Sequence, residues 1–148
     1  MQRWTSEPLP VPADPEAPFK RLDLEFEGVE HDGSSFVALV YLNNQRATER
    51  TGRDMSKGFA AGFTVFAHGD CWGDEGHCEV RREPVSAFDR RPEHRLTPQN
   101  VTLDVTDAVR ALGPVEEVTV TVVAVSAADP AARRGVLRFD ALTLVTYE

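Results

Sequence analysis

The chain is poor in the residues that staple, anchor or neutralise a protein. It has two cysteines among 148 residues, too few for a disulfide framework, and at this length a core can form without one. No apolar run approaches the roughly 20 residues that carry a helix across a bilayer, so no integral membrane protein is expected. A signal-peptide core is also missing. Residues 1–18 are polar and carry Pro8, Pro10, Pro12, Pro15 and Pro18, a spacing that forbids a helix and predicts an extended leader. The expectation that follows is a cytoplasmic protein with reduced thiols. Basic charge is scarce too, with 16 Lys and Arg against 24 Asp and Glu and a formal net charge of −8. Binding to nucleic acid is therefore not expected, because a phosphate backbone needs a clustered basic surface.

What little cysteine there is lies in one place. His68-Gly69-Asp70-Cys71-Trp72-Gly73-Asp74-Glu75-Gly76-His77-Cys78 holds both cysteines and two of the four histidines. Thiolate and imidazole suit soft and borderline metals, and three glycines let a loop fold tightly enough to aim them at one point. Cys71, Cys78, His77 and His68 are the candidate metal ligands, for Cu(I) or, as the alternative, zinc. A disulfide-pinned turn, a pair of buried thiols, a purely conformational loop and a cysteine activated by a neighbouring imidazole stay open beside that reading. Asp70, Asp74 and Glu75 lack the full ligand set of a calcium loop and read as a solvated acidic turn. His31, in a polar hairpin turn, reads as a surface residue, and His94 as part of an Arg-rich ion-pair network.

Elsewhere the dominant period is two. Leu22, Leu24 and Phe26 alternate with Asp23, Glu25 and Glu27, giving a strand with one buried face. Residues 36–42 are apolar on both faces, as a central strand requires. Residues 44–58 read as a long exposed loop, and Phe59 to His68 as a strand with Phe63, Val65 and Ala67 on one face and Thr64, Phe66 and His68 on the other. Residues 78–81 are expected to return as its hairpin partner, and residues 81–98 to form a surface loop. Strands over 100–105, 118–125 and 136–147 follow, the last with a bulge near Ala141, and Thr106 or Asp107 is placed to cap a short helix that Gly113-Pro114 stops. The pattern predicts an all-β fold, an antiparallel, jelly-roll-like β-sandwich of six to seven strands with one short helix, forming a single domain over residues 19–148.

Residues 22–29, the strand end at 41–44 and above all the segment from Gly62 to Cys78 resemble the C-terminal β-domain attached to bacterial tyrosinase-type copper oxidases, related to the β-sandwich domain of molluscan haemocyanin. The resemblance implies an accessory domain that binds copper, covers the active site of a helical copper oxidase partner, or does both. Trp72 reads as core or loop packing, with a lid over the metal loop or a plug into a partner's active site as the alternatives. In that family a separate helical domain holds two copper ions with six histidines. This chain has His31, His68, His77 and His94, too few for such a centre. A stand-alone small metalloprotein or oxidase with a mononuclear Cys/His copper site is the alternative, and a metal-free interaction domain the third.

Overall fold

The computed structural model describes residues 1–11, 19–31, 33–67, 97–126 and 136–147. Leu22, Leu24 and Phe26 are fully buried on one side of β3 (Arg21–Val29), as their alternation with charged residues dictates. Strand β3 is the centre of a three-stranded antiparallel sheet, flanked by β6 (Gln99–Asp104) and β9 (Ala141–Tyr147). In register, Leu24 faces Leu103 on one side and Leu144 on the other, so the buried rows of the three strands merge into one apolar surface.

A second sheet lies against that surface. Its order is β1 (Gln2–Thr5), β8 (Val120–Ser126), β4 (Phe36–Leu42), β5 (Phe59–Val65), all antiparallel. Phe36, Ala38, Val40, Val120, Val122 and Ala124 join the shared core. The Phe26 ring meets Phe63 of the opposing sheet at 5.3 Å and Phe139 edge-on at 5.2 Å. Burying such a side chain stabilises the fold by about 1.5–3 kcal/mol. The result is the predicted all-β sandwich, with one short α-helix among the described residues.

The doubly apolar strand β4 is explained by a second, smaller cluster on the outer face of its sheet. Leu39, Tyr41 and Val123 are buried there with Ala47. Ala47 belongs to residues 44–58, the stretch expected to be exposed. That stretch is a loop, but it folds back and pins itself by the Tyr41 hydroxyl donating to Thr51 O at 3.0 Å. Burial holds the Tyr41 hydroxyl above its usual pKa.

The first eleven residues take part in the sandwich. Extended backbone is what the proline spacing predicts, and Gln2–Thr5 and Leu9–Pro10 (β2) are strands. They are also paired, β1 with β8 and β2 with β7 (Glu117–Val118), while Val11 joins the core at 7% exposure. Trp4 supplies the reason for the docking, because its ring packs edge-on against Phe139 at 4.8 Å.

Three further boundaries differ from the sequence reading. The strand expected over 118–125 breaks at Thr119, whose N–H donates to Asn43 Oδ1 at 2.9 Å while Asn43, at φ 52°, donates its own N–H to Thr119 O. The helix, α1 (Thr106–Ala111), begins at Thr106, so Thr106 is its first turn and the Asp104 carboxylate accepts the Thr106 N–H. Residues 136–140 are not strand; Glu30 donates to Arg138 O and Asp140 to Glu27 O. Strand β9 then pairs with β3 in unbroken register, and the irregularity falls in β3 between Phe26 and Val29. Gly28 sits there at φ 66°, where an added Cβ would strike the Asp140 carboxylate.

Candidate functional site

The two ends of the sandwich carry different chemistry. At one end β5 leaves its sheet at Val65, and β6 enters the other sheet at Gln99, opposite Val29. The Cys/His segment is thus rooted where edge strands of the two sheets meet. Ser35 fastens the root by accepting the Ala67 N–H at 2.9 Å, and the Ser126 hydroxyl donates to Ser35 O at 2.8 Å. His68, Cys71, Trp72, His77, Cys78 and His94 lie outside the described residues, as do the expected return strand at 78–81 and most of the Arg-rich loop. Among the described residues, no three His, Cys, Asp or Glu side chains are grouped so that they could hold a metal ion.

Two described residues at this end stand out. Phe66 is 82% exposed, more than any other large apolar side chain among the described residues. Alternation had put it on the Thr64 and His68 face, away from buried Val65, so the signal was present but was absorbed into the strand pattern. His31, expected at the surface, is buried at 7% exposure. The neighbouring Glu30 donates its N–H to Arg138 O at 3.0 Å, so the chain beside His31 is tied to residues 136–140.

The opposite end is closed by a polar network that periodicity does not reveal. Thr106 Oγ1 accepts the Leu22 N–H at 2.9 Å and donates to Asp104 Oδ1 at 2.6 Å. That hydroxyl bond, then the Thr106 N–H and the nearby Arg21 charge, hold the Asp104 carboxyl below its usual pKa. Arg21 Nε donates to the buried Asp23 at 2.7 Å and lies 3.9 Å from Asp104. It therefore bridges two carboxylates that face each other across the β3–β6 ladder, where like charges would otherwise repel. Asp23 in turn raises the Arg21 pKa, first through this hydrogen bond. Arg110 donates to Phe19 O and Lys20 O at 3.2 Å each and covers the Phe19 ring. These groups satisfy one another along the shallow cleft that they border with Lys20, Met55 and Ala60.

With an all-β sandwich capped at one end and bearing the Cys/His segment at the other, the class of fold is settled. No protein-family model matches the sequence, and no curated protein matches it. Solved structures do match in fold. A latent aurone synthase (polyphenol oxidase) from natural source superposes with a TM-score of 0.55 at 15% identity, and the recombinantly expressed latent form with 0.58 at 14%. The same recombinant protein co-crystallised with hexatungstotellurate(VI) gives 0.57 at 14%. Each match covers 99% of this chain but 24% of the solved one. The chain therefore spans about a quarter of the length of these polyphenol oxidases, and what is shared is the fold.

Proposed function

We propose that this chain is a non-catalytic accessory module of a tyrosinase-type copper oxidase, which covers the active site of a helical partner and binds copper through its Cys/His segment. The carrying observation is the disparity of coverage: 99% of this chain matches 24% of an oxidase described as latent. A piece of that size, with four histidines in all, fits the role of a cover better than that of the catalyst. The exposure of Phe66 at the root of the Cys/His segment supports a partner-facing surface there, since a large apolar side chain left in water gains most when a partner buries it.

The donor set suits the metal. Cys71 and Cys78 as thiolates, with His77 or His68, form the soft ligand combination that selects Cu(I), with zinc the competitor. Bound copper would supply a thiolate-held, low-coordinate ion for storage or delivery to a partner. The chain's own contribution is to root the segment through Ser35 and the two sheet edges.

Copper content and phenol oxidation, measured together after anaerobic purification of the chain alone, test both halves. The expected outcome is copper in the wild-type protein, its loss in the Cys71→Ser/Cys78→Ser variant, and no phenol turnover in either. Equal copper in the two samples sinks the metal assignment. Phenol turnover by the chain alone sinks the accessory role.

A further inference from the structure

The strongest charged feature outside the Cys/His end is the loop over residues 44–58. The chain as a whole carries a net charge of −8, yet this loop holds Arg46, Arg50, Arg53 and Lys57 against only Glu49 and Asp54. All four cationic residues are exposed. None forms an ion pair among the described residues, whereas Arg21 and Arg110 both do. The loop's own carboxylate Asp54 is engaged by the Ser56 hydroxyl.

The loop is also rigidly built. Ala47 is buried at 1% exposure beneath it, and Tyr41 holds Thr51 O. Thr48 and Thr51 close a turn by two reciprocal bonds, Thr48 N to Thr51 Oγ1 at 2.8 Å and Thr51 N to Thr48 O at 3.0 Å. Asn44 Nδ2 donates to Lys57 O at 2.7 Å and so ties the two ends of the loop together. Four unpaired like charges on one short fixed loop repel one another, and that cost is removed when an anionic group sits among them. Because the backbone is already ordered, a partner loses little by ordering it on contact.

We infer that the 44–58 loop is a docking surface for a carboxylate-rich segment of a protein partner. A nucleic acid fits less well, since the basic patch is confined to one loop and the remainder of an acidic chain repels a long phosphate backbone. This surface does not depend on copper or on the Cys/His segment, so it stands or falls separately from the accessory role.

Fluorescence anisotropy with a labelled glutamate octapeptide tests it on the full chain, at about 50 and about 200 mM salt. Saturable binding that weakens with salt is expected. Arg46→Glu/Arg50→Glu should bind at least about tenfold more weakly, the effect of two reversed surface pairs. Arg133→Glu/Arg134→Glu, the same charge change in the stretch that follows β8, should stay within about twofold of wild type. Should the reversal variant unfold by circular dichroism, Arg46→Gln/Arg50→Gln takes its place with the same direction of effect. The inference is overturned by absence of saturable binding, by equal losses in the two charge-reversed pairs, or by a short DNA duplex that binds more tightly than the peptide.

Discussion

The helix end and the Cys/His end of this sandwich share one core but are finished differently. At the helix end Thr106, Asp104, Arg21, Asp23 and Arg110 spend their polar groups on each other and on backbone. At the other end Ser35 fastens two strand exits, and Phe66 points into water at 82% exposure. The difference teaches which end of the molecule carries its polar stabilisation. A polar group tied to buried backbone serves the fold, while a lone apolar side chain left in water adds little to it.

The harshest challenge to this division is Phe26→Ala. Phe26 is fully buried and contacts aromatic rings on both sides, so its loss should cost about 3–5 kcal/mol in urea unfolding. Amide exchange should then accelerate at both ends together; acceleration at one end alone would mean that the two ends are independent units. A smaller effect is expected from Thr106→Val, which orphans the buried Leu22 N–H and should cost about 1–3 kcal/mol at neutral pH. The variant also takes from Asp104 its hydroxyl bond and leaves it the backbone N–H. A carboxyl held below its usual pKa contributes stability above the ordinary carboxylate range and loses it as pH falls through the lowered value. The gap between wild type and Thr106→Val should therefore narrow in acid, and a gap of constant size from neutral pH to below pH 3.8, the unperturbed value, would show that Asp104 takes no part. Smallest of all, Phe66→Ala should alter stability by no more than about 0.5 kcal/mol. A larger loss on thermal melting would place Phe66 in the fold and erase the contrast between the ends.

Much of the fold was legible because period-two patterns are imposed by burial itself. Leu22, Leu24 and Phe26 could be assigned to a core face from spacing alone, and the doubly apolar run at 36–42 announced a strand covered on both faces. What covers its outer face was not legible, because Ala47 lies in a polar, Arg-rich stretch and only the folded loop brings it over Tyr41. Strand β1 escaped for a similar reason. Gln2-Arg3-Trp4-Thr5 is too short to show a period, and its place depends on Phe139 and Leu137, far along the chain. The break at Thr119 depends on Asn43, and the tie at Glu30 on Arg138. Each of these is a tertiary contact that overrides a local preference. At the candidate site the sequence reveals ligand chemistry, since thiolate and imidazole are properties of residue type, but not which of the four side chains converge.

The pairing of β1 with β8 and of β3 with β9 has a kinetic consequence. Gln2 bonds to Leu137 across 135 positions, and the central strand of the three-stranded sheet gains its second neighbour only from β9. Contacts so distant in sequence make loop closure the slow step and put such sandwiches at the sluggish end of single-domain folding rates. During synthesis the early strands must wait, apolar faces uncovered, for the last one to leave the ribosome. The hazard for this chain is aggregation while it is being made.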